Sequence, residues 1–206
     1  GSLLVAVSRQ RRRWPVQRAA ACLVLALAAA STLHAADYRI DPARSHAEFG
    51  VRLLWLTQVT GSFERIDGEV TLSGRRDVAV VDAHIAVDSI RMSSERFRRW
   101  VMAPEFFDAE HYPTIHFVSE PVPVTSLEHG GELFGTLTLR GISRPARFEL
   151  LPSPCPLEQP SDCRIEVRGD IQRSDFGMTG HRTALSDQVR LGLIIAIDRV
   201  PTSTGS

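Results

Sequence analysis

From Ala47 onward the chain repeats one pattern, an apolar residue followed by a polar one, in run after run. In "SHAEFGVRLL", Ala47, Phe49, Val51 and Leu53 share one face, and Glu48, Gly50 and Arg52 take the other. The same spacing sets Ile66, Gly68, Val70 and Leu72 against Asp67, Glu69 and Thr71. It sets Val81, Ala83, Ile85 and Val87 against Asp82, His84 and Asp88, and Ile115 and Phe117 against His116. Leu133, Gly135, Leu137 and Leu139 oppose Thr136, Thr138 and Arg140, and "ARFELL", "RIEVRGDIQ" and "QVRLGLIIAID" continue the series. Successive side chains of an extended strand point to opposite faces, so alternation on this scale predicts strands with one buried face each. About eight such strands can be counted along the chain.

The connections "SGRRD", "EHGGE" and "RGISRP" are short and rich in turn residues. Short links between neighbouring strands predict an antiparallel meander. Eight one-faced strands can bury those faces in a two-sheet sandwich or in the bore of a closed barrel. Meander connectivity favours the barrel, which also removes exposed strand edges. One segment breaks the rhythm: "SSERFRRWVMAPEFFDAEH" places Phe97, Trp100 and Val101 at helical spacing. Ser93 and Ser94 before Glu95 predict a helix start, and Pro104 its interruption. A second short turn then carries Phe106 and Phe107, and Tyr112-Pro113 returns the chain to extended form.

Residues 1–36 read differently from the rest. Arg9, Arg11, Arg12, Arg13 and Arg18 precede an apolar run from Ala19 to Ala30 and the small residues of "STLHAAD". That order predicts a secretory signal peptide cleaved after Ala35 or Ala36, and the run falls short of the about 20 apolar residues a membrane span needs. The alternative is a retained anchor. The remainder is one domain over 37–200 with a short tail at 201–206, and no later stretch could span a bilayer.

The 24 acidic residues balance 24 basic ones, all arginine, and the leader takes five arginines and no acid with it. The mature chain is therefore mildly acidic, which argues against a nucleic-acid partner. Export also suits its two remaining cysteines, Cys155 and Cys163 in "CPLEQPSDC", as a disulfide. Closing so short a loop stabilises by about 2–3 kcal/mol in the chain-entropy model.

Signatures of catalysis are missing. His46, His84, His111, His116, His129 and His181 show no HExxH or similar metal spacing, and no cysteine joins them in a ligand pattern. There is no GxSxG elbow or phosphate-cradling glycine loop, and Ser45-His46 has no evident acid partner. The chain reads as a non-enzyme without cofactor or metal.

"FFDAEHYPTIHFVS" (106–119), "GTLTLRGISRPARFEL" (135–150), "RSDFGM" (173–178) and "GVRLLWLTQVTGSFERIDGEVTL" (50–72) together resemble the YceI-like family. The likeness runs in order from Tyr38 to Asp198. It departs at Leu53 and Trp100, apolar here where relatives commonly carry histidine, and "FRRWVM" replaces a usual Arg-Asp-x-x-Leu-Arg run. The resemblance implies an all-β, antiparallel, eight-stranded lipocalin-like barrel with one helical insertion, in a periplasmic protein that binds a polyisoprenoid or isoprenoid quinone. Phe49, Val51, Leu53, Ile85, Phe117, Leu137 and Leu193 would then line the bore. Trp100, Phe106 and Phe107 would cover it, or simply anchor the insertion. Arg173, Asp175 and His181 would meet the ligand's polar end, or form a salt-bridged turn. A protein-interaction or stress-response module with a packed barrel is the alternative, and pairing with a second copy stays open.

Overall fold

The computed structural model describes residues 36–160 and 163–201. The expected leader and tail lie outside them, save for Ala36 and Pro201. Thirteen strand segments join in one antiparallel sheet. In chain order these are β1 (Tyr38–Ile40), β2 (His46–Leu53), β3 (Thr57–Phe63), β4 (Ile66–Ser73), β5 (Val78–Ala86), β6 (Ile90–Met92) and β7 (Thr114–Ser119). They continue with β8 (Val122–Pro123), β9 (Gly131–Leu139), β10 (Ile142–Leu150), β11 (Ile165–Gln172), β12 (Leu185–Ile195) and β13 (Ile197–Arg199). Two helices, α1 (Glu95–Met102) and α2 (Ser126–His129), interrupt the meander.

The larger number conceals the expected eight. β1 with β2, β3 with β4, β5 with β6, β7 with β8, and β12 with β13 are halves of bent strands, so the sheet has eight staves. Each stave pairs with the next in sequence. The eighth returns to the first twice, Leu191 opposite Phe49 on β12 and β2, and Ile197 opposite Ile40 on β13 and β1. The ladder therefore closes into a barrel, and closure leaves no long edge for another chain to pair with.

Bends interrupt ladder hydrogen bonds, and serine hydroxyls replace them. At the last bend the Ser45 hydroxyl accepts from the Ala196 amide at 2.9 Å and faces the Ala196 carbonyl at 3.4 Å. Ser45 is thus committed to the barrel corner. At the bend between β3 and β4, Ser89 Oγ accepts from the Arg65 amide at 3.1 Å and donates to the Ala86 carbonyl at 2.6 Å.

The connection between β2 and β3 runs over Leu54, Trp55 and Leu56 and turns on the first two, both with positive φ (51° and 63°). The Leu56 amide closes it on the Leu53 carbonyl at 3.2 Å. Such hairpin turns ordinarily carry Asn-Gly, because an L side chain in the left-handed region is strained by about 1–2 kcal/mol. The strained side chains are also exposed: Leu54 by 59%, Trp55 by 72% and Leu56 by 92%. Trp55→Gly is expected to stabilise the fold by about 1 kcal/mol, read as a higher denaturation midpoint with an unchanged slope. An unchanged or lower midpoint would show that the tip carries no backbone strain.

Helix α1 begins where the serines predict. Ser94 caps it, its hydroxyl accepting from the Phe97 amide at 3.4 Å, and Ala103 ends it ahead of Pro104. None of its residues is fully buried, and Val101 and Met102 pack against the core from its edge. Helix α2 falls where the sequence reads only a turn at "EHGGE". Cys155 and Cys163 are bonded, with Cα atoms 5.0 Å apart, and staple the loop between β10 and β11. No helix among the described residues is long and apolar enough to cross a membrane.

Candidate functional site: an apolar bore and its lid

The barrel is hollow. It encloses a cavity of about 250 Å³ whose wall exposes only apolar atoms. One buried water needs about 10–15 Å³, and small-ligand sites span about 300–1,000 Å³, so this space is near the lower edge of a ligand site. An apolar cavity with no hydrogen-bond partners for water stays dry and accepts apolar guests.

Glycines explain why the bore is not filled by its own aromatics. A Cβ on Gly61 would lie 2.7 Å from Cε1 of Phe49, one on Gly135 2.6 Å from Cζ of Phe117, and one on Gly169 3.0 Å from Cε1 of Phe148. Each ring lies flat over a glycine of the adjoining stave, packed against the wall and leaving the axis free. Phe117 and Phe148 also meet edge to face at 5.4 Å.

Phe106 and Phe107 answer to different neighbours. Phe107 reaches the rings of Phe63 at 5.5 Å and Phe49 at 6.2 Å. Phe106 is buried against Trp100 at 4.7 Å, and Trp100 meets the exposed His181 ring at 4.9 Å. Both phenylalanines and Trp100 line the cavity, so α1 and the turn after it contribute aromatic rings to its wall. That turn is tied down by Arg140, which donates to the Pro104 carbonyl at 2.9 Å. It also contains Asp108, whose carboxylate contacts Nδ1 of His111 at 2.8 Å. The hydrogen bond and charge of Asp108 hold the His111 pKa above its ordinary value. A raised folded pKa contributes stability that is present below the unfolded pKa, about 6.5, and is lost as pH rises through the folded value. The His111 titration followed by NMR is expected to fall back toward its ordinary midpoint in Asp108→Asn, and an unmoved midpoint would remove Asp108 as the cause.

Phe49, Val51, Ile85, Trp100, Phe106, Phe107, Phe117, Leu137, Leu193 and Arg173 all lie on the cavity wall. Leu53, Asp175 and His181 do not. Leu53 sits at the end of β2 opposite Thr57 and Leu185. Asp175 is exposed, and its carbonyl accepts from Arg144 Nε at 3.1 Å. His181 backs the lid from outside.

Arg173 is 3% exposed, yet makes no salt bridge among the described residues. Its guanidinium donates to the main-chain oxygens of Met178 at 2.7 Å, Gly180 at 2.8 Å, Ser186 at 2.9 Å and Leu185 at 3.2 Å. Burial lowers its pKa, and the nearby Asp187 carboxylate opposes that shift. Most of the five guanidinium donors are thereby spent on holding the 178–186 segment around the bore. Asp187 is itself held by the Ser174 amide at 2.8 Å and the Ser174 hydroxyl at 2.5 Å.

A closed antiparallel barrel around an apolar cavity, with one aromatic helix contributing to its wall, defines a class of small β-barrels with an internal space. Within that class, the YceI-like domain model matches residues 38–197, and the chain belongs to that family. Among its relatives, a UPF0312 protein of Pectobacterium carotovorum is 26% identical over 183 residues, covering 84% of this chain and 91% of its own. The crystal structure of BcnA from Burkholderia cenocepacia superposes with a TM-score of 0.66 at 19% identity, over 77% of this chain and 99% of BcnA. A polyisoprenoid-binding domain from Saccharophagus degradans gives a TM-score of 0.62 at 14% identity, over 81% of this chain and all of the domain. At these identities the two structures speak to the fold.

Proposed function

We propose that this protein holds a long apolar molecule of the polyisoprenoid or isoprenoid-quinone type in its bore, for carriage or protection in the periplasm. The hollow, wholly apolar cavity is the observation that carries this reading. A ligand of this kind needs a dry tunnel and little else. An isoprene unit gains roughly 3–4 kcal/mol gross on leaving water, at about 25 cal/mol per Å². Its membrane of origin is already apolar, so most of that gain cancels on transfer. The barrel then holds its guest without an affinity that would prevent release. The family membership, the polyisoprenoid-binding domain of like fold and the expected leader all support the same reading.

Native mass spectrometry of the protein purified from its own periplasm tests it. A mass adduct with an isoprenoid fragmentation pattern is expected. A ligand-free species that also ignores added polyprenyl lipids and quinones would sink the proposal. The exposed Leu54–Trp55–Leu56 tip is the feature a protein-interaction module would use instead. Specific capture of a protein partner that is lost in Trp55→Gly, by a barrel that never takes up lipid, would favour that second reading.

A further inference from the structure

Sequence spacing hides one cluster on the outer wall. His84 on β5 stands directly opposite His116 on β7, and Asp67 on β4 directly opposite His84. Asp82 lies two residues before His84 and therefore on the same outward face. The donor atoms of Asp82, His84 and His116 all fall within 4.8 Å of one another. Asp82 Oδ1 is 2.7 Å from His116 Nε2 and 3.8 Å from His84 Nδ1, and Asp67 Oδ1 is 4.0 Å from that same nitrogen. The imidazole rings stack in parallel with centroids 4.3 Å apart.

We propose that Asp82, His84 and His116, with Asp67 at the edge, bind a divalent first-row transition-metal ion of the zinc or copper class. Tetrahedral zinc with bonds of about 2.0–2.1 Å separates its ligand atoms by about 3.3 Å, and the present spacings bracket that value. Two imidazoles and a carboxylate suit zinc and copper by ligand type, whereas magnesium and calcium prefer oxygen alone. Two neighbouring carboxylates supply the negative charge that holds a dication, and they also hold the histidines together before it arrives. The strands are fixed by barrel closure, so the two histidines are brought into register without the metal. Only side-chain rotation is needed, and His84 and His116 are 41% and 37% exposed. Three protein ligands leave a coordination position open for water or for a donor from another molecule.

The site is separable from the bore. Ala83, Ile85, Ile115 and Phe117 of the same strands face inward to the cavity, so the metal would bind on the reverse side of that wall.

Calorimetric titration of Zn²⁺ and Cu²⁺ into the full chain, carrying no affinity tag, tests the site. One equivalent is expected to bind more tightly than about 0.1 mM, with His84→Ala and His116→Ala each weakening it at least about tenfold. Asp67→Asn is expected to act more weakly, and His129→Ala, at α2, not at all. The Cu²⁺ electron paramagnetic resonance spectrum of the wild type is expected to show two imidazole nitrogens, reduced to one in either variant. Stoichiometric binding that survives both histidine variants would overturn the assignment. Affinity weaker than about 0.1 mM for both ions would do the same. Uptake of isoprenoid is expected to stay unchanged in these variants, which keeps the fate of the metal site independent of the lipid reading.

Discussion

Replacing Arg173 with methionine is expected to lower stability by about 3–4 kcal/mol, among the larger effects a single substitution produces. Methionine fills most of the space and leaves no charge behind, so the loss isolates the hydrogen bonds. Four main-chain oxygens, of Met178, Gly180, Leu185 and Ser186, would lose their donor at once. Each buried acceptor left unpaired costs about 1–3 kcal/mol, reduced where the segment opens to water. For a chain of this size about 3–4 kcal/mol is a drop in melting temperature of roughly 10 °C. Arg173→Lys is expected to recover only part of it, since an ammonium has three donors and no planar fork. Hydrogen exchange locates the effect, with protection expected to fall first over 178–186. If Arg173→Met melts within about 2 °C of the wild type, the four bonds do not hold that segment.

Ala83→Trp is expected to abolish ligand uptake while leaving the barrel folded. Ala83 faces the cavity from the middle of β5, and an indole there takes up much of the 250 Å³. Filling a void that already exists need not strain the wall, so the melting temperature is expected to change by no more than a few degrees. Contact with a single isoprene unit is worth roughly 3–4 kcal/mol gross, and about 1.4 kcal/mol is already tenfold in affinity. Lipid adducts in native mass spectra are therefore expected to fall at least about tenfold. Undiminished adducts in a folded Ala83→Trp protein would show that the ligand sits outside the bore.

Where the sequence misled, the reasons were local. Thr57–Phe63 is a strand that the sequence does not announce, because the turn before it, Leu54-Trp55, contains none of the residues that usually mark one. Ladder pairing on both sides holds that turn in a conformation its own side chains disfavour. Arg173, Asp175 and His181 looked alike as polar residues of one Gly-containing stretch. Folding buries the first, exposes the second and lays the third against the outside of Trp100. His84 and His116 are 32 residues apart, and strand register alone makes them neighbours.

Period-two alternation and short, turn-rich links determine most of the strands, their inward faces, the meander and the eightfold count. Strand formation, inward faces and helix capping at Ser94 depend on residues within a few positions of one another, and local patterns record local forces. Closure through β1 and β13, the empty axis left by three rings resting on three glycines, the four carbonyls gathered by Arg173 and the meeting of two distant histidines were decided by the tertiary structure. Each depends on which residues of distant strands come opposite one another, a quantity set by the packing of the whole barrel and written in no single segment of the chain.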